Sequence, residues 1–222
     1  EAEWYKKRGV IVKYFGHPLV EENLSQKIDI PIAKKTYRIA LCPGSRKQEI
    51  KQHLPILIRL VKKARHENLK ISFELFCAPN INPKFLESFM KNCSVKINKN
   101  PILTSFKNID FAIIASGTAS LECAITLTPM VVIYKMSTLS WWITNFFIKT
   151  PFASIVNILA GQMVIPELLQ THVKAQRLLA LIQNYLNNIS KTHKEQEKIF
   201  KLIKPLALKN AYKNTASYIA KY

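Results

Sequence analysis

Two short turns, each placed between an apolar run and a helix-like segment, carry the side chains best suited to chemistry. The turn after the apolar run 111–114 contains small residues and then a lone carboxylate. Small residues at a helix start expose backbone N–H groups, which suits a phosphate or a cluster of sugar hydroxyls. A carboxylate in a semi-buried crevice is costly unless something bonds to it, and a ribose diol could donate two hydrogen bonds to Glu122. The candidate residues of this turn are Ser116, Gly117, Thr118, Ala119 and Glu122.

The other turn is Pro43-Gly44-Ser45-Arg46. Gly44 would let the backbone approach an anion, Ser45 could cap the following helix, and Arg46 could hold a phosphate through its planar fork of donors. An ordinary Gly-Ser helix start is the alternative. Because both turns follow predicted strands, they would face one crevice at the carboxyl edge of a parallel sheet. Neither turn matches the P-loop or the G-x-G-x-x-G pattern.

The elements that would position these turns alternate along the chain. The pattern predicts strands over 10–15, 37–42, 71–77, 95–97, 109–115 and 131–134, and helices over 46–67, 84–91 and from the Gly117 turn to about 127. In the long helix Ile50, Leu54, Leu57, Val61 and Ala64 share one face. After Tyr134 the pattern predicts helices alone. The fold class that follows is α/β, a Rossmann-like and mostly parallel sheet with helices on both faces and a helical C-terminal tail.

Charge is unevenly distributed over the 222 residues. The formal net charge is +19, and 48% of the residues are hydrophobic, which is enough for a substantial core. Residues 46–70 and 191–222 each carry eight Lys or Arg against two Glu, whereas residues 116–170 carry two of each sign. The basic flanks fit a solvated Lys-rich face, an anionic membrane surface or nucleic acid, and composition alone leaves all three open.

Cys42, Cys77, Cys93 and Cys123 form no C-x-x-C pair, so we expect buried reduced thiols of a cytosolic protein. The Cys and His spacing offers no metal-ligand set, and we expect neither a metal nor a cofactor. No apolar run reaches the ~18 residues of a membrane span.

An aromatic segment follows the last predicted strand. It contains Trp141, Trp142, Phe146, Phe147 and Lys149. Aromatic residues on several helix faces, followed by Lys, suit a bilayer interface. An aromatic core or a domain contact is the alternative.

Two polar residues stand in the apolar stretches that come next, Asn157 within 157–161 and Glu167 within 166–170. Such residues are often loop caps. Here they would also lie near the carboxyl edge of the sheet, where they could meet a ligand.

Together these features closely resemble the lipid-A-disaccharide synthase family, whose members are inverting GT-B glycosyltransferases. Order and spacing agree over nearly the whole chain, with Cys42 and Val156 as departures where Leu and Pro are usual. The matching segments are 16–18, 43–46 with Glu49, 116–119 with 121–123, 129–132, 134–136, 149–150, 157–161 and 167–170.

The resemblance implies a donor-binding half. The Arg46 and Gly117 turns would cradle the diphosphate of a UDP-linked sugar, and Glu122 would bind the ribose. Asn157 and Glu167 would lie near the donor sugar. The family joins UDP-2,3-diacylglucosamine to 2,3-diacylglucosamine 1-phosphate, giving the β-1',6-linked lipid A disaccharide and UDP, without a metal.

The resemblance also implies a division of the chain. Residues 1–20 would end an N-terminal domain and form the hinge, 21–35 a linker, 36–190 the UDP-sugar-binding domain, and 191–222 helices that pack back toward the N-terminal domain. That N-terminal half, which carries the acceptor site and the catalytic carboxylate, is expected to be missing here. His17 would then have a structural role near the hinge.

We therefore expect a cytoplasmic protein that is peripheral on an anionic inner membrane and has an N-terminal half as its partner. Exposed apolar residues of the tail, Ile199, Phe200, Leu202 and Ile203, make self-association into a homo-oligomer plausible. Another GT-B donor domain or a UDP-sugar epimerase with a soluble substrate is the alternative. A basic nucleic-acid-binding domain is a third interpretation, and we expect no nucleic acid as a partner.

Overall fold

The computed structural model describes residues 2–23, 34–90, 93, 95–137 and 151–221. Within this part of the chain the strands are β1 Tyr37–Cys42, β2 Ile71–Phe76, β3 Lys96–Asn98, β4 Phe111–Ala115, β5 Met130–Tyr134 and β6 Glu167–Leu169. The α-helices are Ala2–Lys6, Pro18–Asn23, Lys47–His66, Pro83–Glu87, Ile102–Ser105, Ala119–Ile125, Ile155–Ala160, Ala175–Asn187, Ile189–Ile203 and Ala211–Ile219. Single 3₁₀ turns span Phe106–Asn108, Gln170–His172 and Lys204–Leu206.

The strands form one parallel sheet in the order β3-β2-β1-β4-β5-β6. Strand β1 pairs with β2 on one side and β4 on the other, so Ile39 lies between Phe73 and Phe111. The order reverses between β1 and β4. At such a switch point the connections leave in opposite directions and a crevice forms outside the carboxyl ends of the strands.

Both faces of the sheet are buried. Along β1, Ile39 and Leu41 join one apolar cluster, whereas Ala40 and Cys42 join the other, because successive side chains point to opposite faces. The first cluster includes residues of the Lys47–His66 and Ala175–Asn187 helices, and the second includes residues of the Ala119–Ile125 and Ile189–Ile203 helices. Helices therefore cover the sheet on both sides, as the continuous apolar strands predict.

The long helix agrees with its predicted face. It begins at Lys47 and ends at His66, one residue inside the predicted bounds at each end. The five residues predicted to share a face are all buried, Ile50, Leu54, Leu57, Val61 and Ala64. The four cysteines are buried and free of disulfides, as expected.

Two predicted elements are wrong. Residues 10–15 form no strand, and Ile11 is 92% exposed. The segment has β-branched residues, but among the described residues no strand lies beside it to pair with. The chain after Tyr134 is not wholly helical, because β6 pairs with β5. A strand of three residues that begins with Glu is too short for any periodicity to indicate it.

The prediction for the C-terminal tail also needs correction. Ile199 and Ile203 are buried and Phe200 is half-buried, because the Ile189–Ile203 helix packs against the cluster under Ala119–Ile125. Leu202 remains 45% exposed. Most of this apolar face thus packs within the domain.

The beginning and the end of the chain are attached to each other. The His17 backbone N–H donates to the Leu206 carbonyl at 2.7 Å. The Glu21 carboxylate accepts from the backbone N–H groups of Asn210 and, at 2.9 Å, Ala211. A hinge role for His17 stays a prediction.

Candidate functional site

A cleft of about 540 Å³ opens at the carboxyl ends of β1, β2 and β4, at the switch point of the sheet. Both predicted turns line it, one after β1 and the other after β4. The sequence prediction that they face one crevice agrees with this placement. The predicted site residues that line the cleft are Gly44, Ser45, Arg46, Ser116, Gly117, Thr118, Ala119 and Glu122.

The turn after β1 is shaped by Gly44. Its φ of +120° lies in a region that side chains other than glycine rarely adopt. A Cβ atom there would lie 2.6 Å from Oε2 of Glu49 and 3.5 Å from Cβ of Ala115. The missing side chain thus leaves room for a carboxylate beneath the turn and keeps the backbone open toward the cleft.

Arg46 lies at the mouth of the cleft with 79% of its side chain exposed. Its Nη1 donates to Oε1 of Glu49 at 2.7 Å. The hydrogen bond and the charge of Glu49 raise the pKa of Arg46, so the guanidinium stays charged. One contact with Glu49 occupies one of the five N–H donors of the fork and leaves others for an anion.

The expected helix cap at Ser45 is wrong. Arg46 occupies the N-cap position in an extended conformation, and no side chain forms a cap hydrogen bond there. The Ser45 carbonyl instead accepts from Nδ2 of Asn80 at 2.8 Å. Ser45 therefore connects the turn after β1 to the loop after β2.

The turn after β4 presents open backbone donors. Gly117 has a φ of +152°, and a Cβ atom built there would meet no atom within 4 Å. Among the described residues nothing accepts a hydrogen bond from the backbone N–H groups of Gly117, Thr118 and Ala119. Ser116 is held from behind, since its Oγ donates to the Ala153 carbonyl at 2.6 Å. Three adjacent donors on a fixed turn can receive phosphate oxygens.

Glu122 lies on the first turns of the Ala119–Ile125 helix, half-buried in the wall of the cleft. Within the described part of the chain its carboxylate has neither a hydrogen-bond donor nor an ion-pair partner. Burial raises the pKa of this carboxyl group. The group is therefore an acceptor whose partner the described residues do not supply.

Asn157 and Glu167 do not line the cleft. Asn157 is fully buried, with Oδ1 accepting from the Val164 and Ile165 N–H groups at 2.8 and 3.0 Å. Its Nδ2 donates to Ile165 O at 2.9 Å and to Oε1 of Glu167 at 2.7 Å. Both side chains brace the loop that carries Ala153, and direct contact with a donor sugar stays a prediction.

Sequence reasoning missed the opposite wall and a buried support. The wall after β2 and β3 is formed by Cys77, Ala78, Pro79, Lys99, Asn100, Pro101 and Ile102. Its position at two further strand ends could have indicated it. The support is His53, whose ring is fully buried beside the turn after β1. Its position on the buried face of the long helix was the available signal.

The predicted membrane-contact residues, Trp141 to Lys149, lie outside the described residues. Among the helices that are described, none has the length and hydropathy to cross a bilayer. The same part of the chain contains no group of three or more His, Cys, Asp or Glu side chains placed to hold a metal ion.

The fold is shared with solved glycosyltransferases. Trehalose-6-phosphate synthase OtsA superposes with a TM-score of 0.56 at 9% identity, over 91% of this chain and 49% of that one. The spinosyn rhamnosyltransferase SpnG, solved with thymidine diphosphate, gives a TM-score of 0.52 at 14% identity, over 84% and 50%. At these identities the likeness shows the fold, and it confirms the predicted fold class.

Sequence comparison is more specific. Lipid-A-disaccharide synthase 1 of Legionella pneumophila (strain Lens) is 34% identical over 95% of this chain and 57% of its own length. The synthase of Rickettsia akari (strain Hartford) is 30% identical over 99% of this chain and 57% of its own length. The synthase of Anaeromyxobacter dehalogenans (strain 2CP-C) is 31% identical over 85% of this chain and 51% of its own length. The chain thus spans little more than half the length of these relatives. Because residues 1–221 match the family described as lipid-A-disaccharide synthetase, the chain belongs to that family.

Proposed function

We propose that the cleft binds the UDP part of a UDP-linked acylated sugar, so that this chain supplies the donor half of a lipid A glycosyltransferase. The reaction would join UDP-2,3-diacylglucosamine to 2,3-diacylglucosamine 1-phosphate and release UDP. Family membership supports this substrate class. This chain covers 57% of the length of the Legionella pneumophila synthase. The reaction is therefore proposed for a longer protein, of which this chain supplies one part.

The observation that carries the proposal is the state of Glu122. It is a half-buried carboxylate that faces a cleft and has no donor among the described residues. An acceptor with several free lone pairs in such a place fits a vicinal diol, which donates two hydrogen bonds. The ribose of a nucleotide is such a diol, and the strand-end cleft is where open α/β sheets hold nucleotides.

The diphosphate would lie between the two turns. The open N–H groups of Gly117, Thr118 and Ala119 would bind phosphate oxygens from one side. Arg46 would bind them from the other, through the donors that Glu49 leaves free. These groups would also stabilise the negative charge that develops on the leaving UDP, so the transfer would need no metal at this position.

Transfer needs the acceptor hydroxyl, a base and the donor's anomeric carbon aligned in a closed cleft. The described residues build the donor wall of such a cleft. We therefore propose that an N-terminal half supplies the acceptor site and the base, and that the 222-residue chain alone binds UDP without transferring sugar. Disaccharide formed by this purified chain would contradict that assignment.

Acylated substrates of the kind proposed would be met at a membrane surface. We propose a peripheral position on an anionic inner membrane, supported by the net charge of +19 and its concentration in the flanking helices. The 141–149 segment remains the predicted apolar contact. The fold gives no reason to prefer nucleic acid for the basic flanks.

Calorimetric titration with UDP and UMP tests the donor site. Glu122→Gln should weaken both nucleotides by about 1–3 kcal/mol, the range for a lost charged hydrogen bond to ribose. Arg46→Lys should weaken UDP more than UMP, because a point charge replaces the bidentate fork.

Matched controls lie on exposed surfaces outside the cleft. Glu195→Gln and Arg59→Lys make the same chemical changes at exposed positions and should leave both affinities unchanged. Equal UDP affinity for wild type and Glu122→Gln would remove Glu122 from the site. An equal loss of UDP and UMP in Arg46→Lys would argue against contact with the second phosphate.

A further inference from the structure

His53 joins two strand ends from behind the cleft. It lies on the Lys47–His66 helix with no exposed surface. Its Nδ1 is 2.7 Å from the Pro43 carbonyl, at the end of β1. Its Nε2 is 3.0 Å from the backbone nitrogen of Lys135, at the end of β5.

These two partners fix the protonation state of the ring. The Pro43 carbonyl can only accept, so Nδ1 carries the proton, and the Lys135 N–H can only donate, so Nε2 carries the lone pair. A neutral imidazole satisfies both, whereas a second proton on Nε2 would face the Lys135 N–H. Burial lowers the pKa of His53, opposed by the Pro43 hydrogen bond and the charge of Glu49, and assisted by the charge of Lys135.

The position of this bridge connects it to the cleft. Pro43 immediately precedes Gly44, Ser45 and Arg46, which line the cleft. Proline has no N–H, so its carbonyl is the hydrogen-bonding group through which the backbone can be held at this residue. Glu49, one helical turn before His53, lies beneath Gly44 and pairs with Arg46. The helix thus supports the turn at several points from one side.

We propose that His53 is a positioning residue for the diphosphate subsite, fixing the Pro43–Arg46 turn through its hydrogen bond to the Pro43 carbonyl, while the bond from Lys135 sets the tautomer of the ring. The inference rests on the proposed function, since it concerns the same cleft. His53 is buried behind the turn and acts through Pro43. A shift of the turn by a fraction of an ångström would move Arg46 and the Gly44 backbone away from the second phosphate. Binding of that phosphate depends on the alignment of these groups.

Two substitutions separate the two contacts. His53→Asn places an amide donor near the position of Nδ1 and keeps the bond to Pro43, while it is too short to reach Lys135. His53→Gln places an acceptor near the position of Nε2 and keeps the bond to Lys135, while it loses the donor to Pro43. His53→Leu removes both. UDP and UMP affinities are measured by calorimetry on the full chain, with the melting temperature of each variant.

We expect His53→Leu and His53→Gln to weaken UDP at least ~10-fold, with a smaller effect on UMP, and His53→Asn to stay within ~3-fold of wild type. The matched control is His193→Leu, a buried histidine on the Ile189–Ile203 helix that does not line the cleft. It should leave UDP affinity unchanged, whatever change it makes to the melting temperature.

The outcomes distinguish this inference from the function on which it rests. If wild type binds UDP and the His53 variants bind it equally well, or lose UDP and UMP by the same factor, the positioning role is overturned and the donor site remains. If His53→Gln binds normally and His53→Asn does not, the support runs through Lys135 alone and the inference is overturned. If wild type binds no UDP, both are overturned. Where the Leu variant fails to fold, the Asn and Gln pair decides.

Discussion

Glu122 and Glu167 are two partly buried carboxylates near the same edge of the sheet, and their surroundings are opposite. Glu122 faces the cleft and has no partner among the described residues. Glu167 accepts from the Ala153 and Ser154 backbone N–H groups at 2.8 and 2.9 Å, and from Nδ2 of Asn157 at 2.7 Å. One carboxylate is left for a ligand, and the other is used by the protein itself.

The same side chain thus has two roles in this fold, one structural and one suited to binding a ligand. A buried acceptor is costly when unpaired, and at the wall of a cleft a ligand can offset that cost. The Glu167 group supports the cleft indirectly. It holds Ala153, whose carbonyl accepts from Oγ of Ser116 at the edge of the Gly117 turn. The hydrogen-bonded pair of Asn157 and Glu167 is called the brace below. Substitutions in the brace are expected to lower mainly the free energy of unfolding, and substitutions in the cleft to lower mainly nucleotide affinity.

The largest effect should come from removing the centre of the brace. Asn157→Ala would leave the Val164 and Ile165 N–H groups without their acceptor and the Ile165 carbonyl without its donor. Each buried group left unpaired costs ~1–3 kcal/mol, so we expect the free energy of unfolding in urea to fall by about 3–5 kcal/mol.

The matched control is Asn184→Ala, an exposed position on the Ala175–Asn187 helix, which should change stability by no more than ~0.5 kcal/mol. If Asn157→Ala unfolds like the control, the brace contributes nothing to stability. The comparison between the two carboxylates would then lose its basis.

Most of the sheet and both turns of the cleft could be predicted from the sequence. The apolar runs located β1, β2, β4 and β5 to within about two residues, because buried parallel strands are nearly continuous in apolar residues. The rule that ligands bind at the ends of parallel strands predicts from the sequence alone that the Gly44 and Gly117 turns face one crevice. Glu122 was predicted as a site residue because it is the lone carboxylate that comes directly after the Gly117 turn.

The sequence could not separate Glu122 from Glu167. Each is a Glu in an apolar stretch of sequence that follows a predicted strand or loop. The two differ in the backbone N–H groups that the fold brings to the carboxylate. Those of Ala153 and Ser154 are 13 or 14 residues away along the chain. His53 was missed for the same reason, since Lys135 is 82 residues away. Partners supplied by tertiary structure leave no local pattern.

The crossed substitution of the two carboxylates sharpens the comparison. Glu167→Gln keeps the shape but replaces charged hydrogen bonds with neutral ones and turns one acceptor into a donor facing backbone N–H groups. The unfolding free energy should fall by about 1–3 kcal/mol. Glu122→Gln should leave stability unchanged or slightly raised, because it removes an unpaired buried charge.

Nucleotide affinity should respond in the reverse order. Glu122→Gln should weaken UDP as described above, and Glu167→Gln should weaken it less, through movement of Ser116. Chemical denaturation and calorimetry on the same protein samples measure both quantities. A Glu167→Gln variant that keeps full stability but loses UDP would show that Glu167 contacts the donor after all.

The smallest expected effect is a pH dependence that belongs to Glu122. Burial raises the pKa of this carboxyl above the value of 4.5 that it has in an unfolded chain. In the pH range between these two values the folded state binds more protons than the unfolded state, so stability falls as pH rises and stays low above the folded pKa. The buried histidines act in the opposite direction, since burial lowers the pKa values of His53 and His193 below 6.5 and stability is lost as pH falls through that range.

Comparing wild type with Glu122→Gln isolates the carboxylate, because the histidine contribution is common to both proteins. The difference in unfolding free energy, wild type minus variant, should decrease as pH rises from about 4 and then become constant. Saturating UDP should reduce this dependence, because hydrogen bonds from ribose favour the charged carboxylate and bring its folded pKa back down. A difference that does not vary with pH would mean that Glu122 is solvated or paired in solution, and the contrast with Glu167 would disappear. A difference that varies with pH but ignores UDP would keep the unpaired carboxylate and place the ribose elsewhere in the cleft.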